Sequence, residues 1–296
     1  MKGSVQLHEL RDRLLILQRI QGLSRKKLHQ LRKVDPLLTT IFTMSPQEIE
    51  SFLQLKQQKA LHVYQQLQQI DSIQGKIRDD ENIANIITIE DTDYPKRLRE
   101  IPDPPLVLYT IGDIKLLNAN PSLSVIGTRR PSYEARDKLH EVLTPLIAVG
   151  YTIVSGLAYG IDSFAHERTL EYDGKTIAVL GSGFKHIYPK ENITLCREIA
   201  RKGLVVSEYA PHTPPKKYHF PERNRIISGI SQGTLVVEAT ERSGTLITVD
   251  QALEQGKEVF AMPGSPLLKQ TVGCHQLIQD GAKLVITATD IYEEWV

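Results

Sequence analysis

The chain has 296 residues with 36 Lys+Arg against 35 Asp+Glu, a formal net charge of +1, and is 41% hydrophobic and 24% charged. That composition excludes a disordered chain and a uniformly basic coating protein, and it suits about two domains. The two cysteines, Cys196 and Cys274, stand outside any CxxC pair, so no disulfide framework or thiolate zinc site is expected and a reducing cytoplasm fits.

The first residues are broken by charge every few positions and no run of 18 apolar residues occurs. Neither a signal peptide nor a membrane span is expected. Residues 1–75 carry helical periodicity. Leu7, Leu10, Leu14 and Leu17 share one face, Ser24 can cap a second helix with Leu28 and Leu31, and Ser45-Pro46-Gln47-Glu48 is a capping box. The third helix is expected to run on through Ile49, Phe52, Ala60, Val63, Leu67 and Ile70. Residues 1–34 hold nine Lys/Arg and two Asp/Glu, which reads either as a solvated helix face or as an auxiliary docking surface. Residues 76–85 read as a linker, and 86–112 as extra strands or a lead-in arm to the second domain, 86–296.

From about residue 120 short Val/Ile-rich runs alternate with helical segments. The runs are LSVIGT (123–128), YTIVSG (151–156), KTIAVLGSG (175–183), GLVVSEY (203–209), GTLVVEAT (233–240), KEVFAMPG (257–264) and AKLVIT (282–287). Such spacing requires parallel pairing with both faces covered, so the fold class is α/β, a doubly wound parallel sheet of the Rossmann type. Ligands in such a sheet sit at the carboxyl ends of the strands. The turns there are rich in glycine and hydroxyls: Gly127-Thr128-Arg129-Arg130, Ser155-Gly156, Gly181-Ser182-Gly183 and Ser243-Gly244-Thr245. Glycine lets a backbone approach closely and helix N-termini offer N–H groups, so anion binding along this rim is expected.

No GxGxxG occurs, because His186 takes the third glycine position after Gly181 and Gly183. Gly174-Lys175-Thr176 lacks the first P-loop glycine, and GxSxG and HExxH are absent. No cofactor, metal or catalytic residue is therefore expected. The densest signal is Pro214-Pro215-Lys216-Lys217-Tyr218-His219-Phe220-Pro221-Glu222-Arg223-Asn224-Arg225. Cations that track a phosphate backbone beside flat rings that stack bases suit single strands. The competing reading is a structural loop in which Arg223 or Arg225 pairs with Glu208 or Glu238. A second cluster, Phe184-Lys185-His186-Ile187-Tyr188-Pro189-Lys190, adds cations to the same edge, and so do Arg129 and Arg130. Among Phe184, Tyr188, Tyr218 and Phe220 at least half are expected to be packing residues, with Phe184 the first candidate for stacking. Leu277 and Ile278, with Leu267-Leu268 before them, are candidates for a two-fold interface.

The runs VIGTRRPS (125–132), VSGLAYGIDSFAH (154–166), LGSGFKHIYPKEN (180–192), SEYAPHTPPKKYHFPERNRIISG (207–229), VVEATERSGTLITVDQALEQGKEVFAMPG (236–264) and GCHQLIQDGA (273–282) resemble the DNA-processing protein A (DprA/Smf) family. The resemblance covers about residues 86–296 in the family's motif order. It implies an extended Rossmann fold behind a small helical SAM-like domain, which suits residues 1–75. It also implies single-stranded DNA binding without catalysis, loading of a RecA-type recombinase in natural transformation against single-strand-binding protein, and a homodimer. By motif, the family's basic pocket falls on Arg129, Lys190 and the Lys217–Arg225 stretch, and no C-terminal winged helix is expected here. The alternative is a Rossmann nucleotide phosphoribohydrolase-like enzyme, whose GGxGTxxE motif resembles Arg242-Ser243-Gly244-Thr245-Leu246-Ile247-Thr248. Thr248 stands where that motif carries its carboxylate.

Overall fold

The computed structural model describes residues 9–295, so the expected place of Leu7 on the first helix lies outside them. The chain divides into two compact units. One holds residues up to Thr92 with Pro105–Leu108, the other Asp93–Pro104 with Tyr109 onward.

The first unit begins with α1 (Leu10–Arg19), which buries Leu14, Leu15, Ile16 and Leu17. Helix α2 (Arg25–Val34) is capped by Ser24, whose Oγ accepts from the Lys27 N–H. The expected capping box is formed: Glu48 N–H donates to Ser45 Oγ at 3.3 Å and Ser45 N–H to Glu48 Oε2 at 2.7 Å. The single helix expected after it is three: α3 (Pro46–Leu53), α4 (Gln57–Leu67) and α5 (Ile70–Glu81). Gln54 adopts a left-handed conformation (φ 49°) and ends the first of them. The expected linker at 76–85 is corrected as well. Ile73 and Ile77, one turn apart, are both buried, so the helix keeps an apolar stripe through the linker's first half and runs to Glu81. Strand β1 (Asn85–Thr88) follows directly. Much of the N-terminal positive charge is answered within this unit, because Arg11 pairs with Asp91, Arg19 with Asp80 and Arg32 with Glu90.

In the second unit, α6 (Lys96–Arg99) precedes β2 (Val107–Gly112), a strand that starts in the first unit. Then come β3 (Ser122–Ile126), α7 (Ala135–Ala148), β4 (Thr152–Ser155), α8 (Ile161–Glu171), β5 (Thr176–Leu180), α9 (Ile193–Lys202) and β6 (Leu204–Ser207). They are followed by α10 (His219–Ile230), β7 (Gly233–Val236), α11 (Gly244–Glu254), β8 (Glu258–Ala261), α12 (Val272–Gln279), β9 (Lys283–Leu284) and α13 (Thr289–Tyr292). Strand order is β2-β6-β5-β4-β3-β7-β8-β9. From β3 to β9 the neighbours are parallel, and β2 runs antiparallel to β6, with Tyr109 opposite Ser207. The doubly wound Rossmann-type fold expected from the strand–helix rhythm is what forms.

Alternation along β3 shows why both faces need helices. Leu123 and Val125 point into a cluster with Leu139, Val142, Leu143 and Leu146 of α7, a spacing of i, i+3, i+4, i+7. Burying each such leucine contributes about 1.5–3 kcal/mol. Ser124 faces the other way, beneath the α10 side, and its hydroxyl meets that of Thr234 at 2.7 Å. The chain leaves β3 toward β4, β5 and β6, then returns to lay β7 on the opposite flank of β3. A crevice must open where the direction reverses, at the carboxyl ends of β3 and β7.

One buried histidine gives this unit a pH signature. His166 of α8 lies 2.7 Å from Thr176 Oγ1, whose hydroxyl donates to Ile153 O. The threonine oxygen therefore accepts, and Nδ1 carries the proton. Nε2 is buried without a partner, so a second proton would have nothing to donate to. Burial, helped by the charge of Arg223, holds the imidazole down at about 3 from its ordinary 6.5. Between those values the unfolded chain binds the extra proton, so stability falls as pH drops from about 6.5 toward 3, by up to about 1.36 kcal/mol per pH unit. Denaturant midpoints measured between about pH 7 and pH 5 should fall more steeply for the natural chain than for His166→Gln. Equal slopes would overturn the assignment.

Candidate functional site

The crevice is occupied by an open cleft of about 860 Å³. Gly127, Thr128, Arg129 and Arg130 enter it from the β3–α7 turn, and Ala158 and Asp162 from the β4–α8 turn. Lys217 comes from the approach to α10 and Phe220, Arg223 and Asn224 from its first two turns, while Thr240 and Ser243 come from the β7–α11 turn and Gly244, Thr245 and Thr248 from the start of α11. Lys269 and Gln270 close the far side, from the loop after β8.

Arg129, Arg130, Lys217 and Lys269 are exposed, and none has a carboxylate within ion-pair distance among the described residues. Four cations from three separated segments therefore converge on one concave surface. Beside them lies an aromatic ledge. The Tyr188 and Phe220 rings meet with centroids 5.5 Å apart, and the Arg129 guanidinium stands 5.9 Å from the Phe220 centroid. The chemistry suits a polyanion with flat groups attached.

The turn that bears Arg129 and Arg130 is held from behind. Thr128 N–H donates to the Glu238 carbonyl at 2.8 Å, and Arg130 N–H to the Thr128 hydroxyl. The fully buried Glu238 carboxylate accepts from the Ser132 N–H at 2.8 Å and the Ser132 hydroxyl at 2.5 Å, with Lys138 Nζ 3.5 Å away. Deeper still, Arg223 is buried and donates through Nη1 to the carbonyls of Gly156 and Val179, and through Nε to Asn224 Oδ1. Asp162 accepts from the N–H groups of Gly156 and Ala158. Burial pushes its carboxyl up while the neighbouring Arg223 charge pulls it back.

Several expected site residues serve this support instead of facing a ligand. Arg225 is buried, pairs with Glu208 at 2.7 Å and donates to the carbonyls of Asp103 and Glu222. Arg223 lines the cleft floor, but its Nη1 donors go to two backbone carbonyls and its Nε donor to Asn224 Oδ1. Ser155 is buried with its hydroxyl on Val125 O at 2.6 Å. The glycines leave room for the protein's own groups. A Cβ at Gly156 would strike the Arg223 guanidinium, at Gly181 it would lie 2.9 Å from the Phe220 ring, and at Gly183 it would meet the carbonyls of Ala210 and Pro211. Phe184 is half-buried against the apolar cluster that contains Leu180, Cys196 and Ile199, so the ring expected to stack first is a packing residue and Phe220 holds the ledge.

Lys185, Lys190 and Lys216 are exposed but lie outside the cleft lining. Beside Lys190, Glu191 accepts from the Tyr159 hydroxyl, which is held up at about 12 by that bond. Lys269, Gln270 and Thr248 were not expected in the site. The signal for Lys269 was its position just past the carboxyl end of β8, a strand adjoining the crevice. Among the described residues no cluster of His, Cys, Asp and Glu could hold a metal ion, and no helix is long and apolar enough to cross a membrane.

The model of the family "DNA recombination-mediator protein A" matches residues 85–296. A DNA processing protein DprA of Bacillus subtilis is 46% identical over 210 residues, 71% of each chain. The crystal structure of DNA processing protein A from Streptococcus pneumoniae superposes with a TM-score of 0.85 at 36% identity, covering 96% of this chain and 98% of that one. The Helicobacter pylori protein, whose solved structure concerns a single-stranded DNA binding mode, gives a TM-score of 0.64 at 31% identity over 71% of this chain and 95% of that one. With its switch-point cleft, its strand order and a match across most of its length, this chain belongs to the DNA recombination-mediator protein A family.

Proposed function

We propose that this protein binds single-stranded DNA in the switch-point cleft and, without catalysing a covalent step, loads a RecA-type recombinase onto incoming strands during natural transformation. The observation that carries the reading is the convergence of Arg129, Arg130, Lys217 and Lys269 beside the Tyr188–Phe220 ledge. Phosphates find cations without internal partners, and unstacked bases find ring faces. Lys185, Lys190 and Lys216 extend the positive surface along the same sheet edge. The membership of the family and the single-strand binding of the Helicobacter pylori relative support the same reading.

Oligo(dT) should bind more tightly than a duplex, whose bases are already stacked. Each phosphate contact to a single strand contributes about 0.7 to the slope of log K against log[salt]. Arg129→Ala and Lys217→Ala should each weaken binding and flatten that slope, while Phe184→Ala should lower the thermal midpoint with affinity intact. Phe220→Ala should cost about 1–3 kcal/mol of binding. Unchanged slopes for both cation variants would remove the cleft from the binding surface.

Several modest contacts hold a strand weakly enough to pass it on. Recombinase ATPase on DNA already coated by single-strand-binding protein should therefore rise when this protein is added. No rise at DNA-saturating concentrations would leave a DNA-binding protein with no mediator role.

The active form is proposed to be a homodimer, which raises effective concentration along one strand. Leu277 and Ile278 on α12 are half-buried, and Leu267 before them is 91% exposed, more apolar surface than one packed face uses. Sedimentation of a folded Ile278→Lys variant should give a monomer, and a folded dimer would remove Ile278 from the interface.

A further inference from the structure

The first turn of α11 has donors that the protein itself leaves unused. Ser243 Oγ accepts from the Thr245 N–H at 3.0 Å and the Leu246 N–H reaches the Ser243 carbonyl. Among the described residues Gly244 N–H has no partner, and a Cβ on Gly244 would meet open space. Thr245 and Thr248 are 9% and 2% exposed, both line the cleft, and neither hydroxyl has a hydrogen-bond partner among the described residues. At i and i+3 they share a face, and side chains on a helix lean toward its N-terminus. An N–H and the hydroxyls of two nearly buried threonines thus line one side of the cleft, at the positive end of an 11-residue helix. Arg129 and Lys269 line the same space.

We infer that this turn is a phosphomonoester site, for the terminal phosphate of a DNA strand or for a nucleoside monophosphate. A phosphodiester presents two free oxygens and carries chain on both sides, so it answers fewer of these three donors at once. A phosphomonoester has three free oxygens and a single substituent, enters end-on, and carries nearly two negative charges at neutral pH for the helix terminus and cations to answer. The strand-end form of the proposal rests on the single-strand reading above; the mononucleotide form does not.

The test compares 5′-phosphorylated, 3′-phosphorylated and unphosphorylated oligo(dT) on the full chain, together with dTMP against thymidine by thermal shift. One terminal phosphate should tighten oligonucleotide binding about ten-fold, or dTMP should raise the thermal midpoint where thymidine does not. The first outcome assigns the site to strand ends and the second to free nucleotides. Thr248→Val removes one hydroxyl at constant shape. Gly244→Pro removes the free N–H at the first helical position, where proline is tolerated. Either substitution should abolish the phosphate-dependent difference, read as the ratio of phosphorylated to unphosphorylated oligo(dT) affinity for the same variant. Equal binding of all three oligonucleotides with no dTMP effect overturns the site, and so does a difference that survives both substitutions. Failure of unphosphorylated oligo(dT) to bind would instead count against the single-strand reading.

Discussion

The buried guanidinium of Arg223 ties the crevice together. It rises from the start of α10 and donates to the carbonyl of Gly156 beyond β4 and to that of Val179 in β5, so one side chain joins three elements at the place where the sheet divides. A charge in such a position is costly unless it is compensated. Burial lowers its pKa to about 10, against the opposing pull of Asp162, so it remains a cation at neutral pH. Asp162 in turn takes the N–H groups of the Gly156–Ala158 turn. Glycine at 156 follows from this arrangement, because any side chain would occupy the guanidinium's place.

Two layers result, distinguished by what their charges meet. Below are Arg223, Arg225, Asp162, Glu208 and Glu238, all buried and engaged with backbone or with one another. Above are Arg129, Arg130, Lys217 and Lys269, exposed around the cleft. The lower layer fixes backbone and the upper layer is left to face a ligand. A turn anchored through Thr128 and Ser132 presents its arginines from a backbone already in position, so little ordering has to accompany binding.

The fold was legible because its rules are local and periodic. Val- and Ile-rich runs separated by helical segments admit few arrangements besides a covered parallel sheet, and the capping box at Ser45 announced its helix without tertiary help. The break at Gln54 was not legible, since nothing in its residue type demands a left-handed backbone. The site was legible as a rim but not residue by residue. Arg223 and Arg129 have the same chemistry on paper, and only the third dimension shows that one is surrounded by carbonyls and the other by solvent. The glycine turns misled for a related reason: the close approach they permit is made by Arg223, Phe220 and the Pro211 backbone. Phe184 and Phe220 could be told apart only by which ring the apolar cluster around Ile199 claims.

The near cancellation of charge across the whole chain, +1 in total, changes how the unanswered cations of the cleft act. A distant nucleic acid feels almost no net pull. The field is that of an uneven distribution, and at physiological salt it fades within about 8 Å. On the proposed reading, attraction begins only when a strand is already close to the cleft, and its first effect is to turn the two molecules toward each other. On that reading, collisions are sorted by orientation before close contact is made.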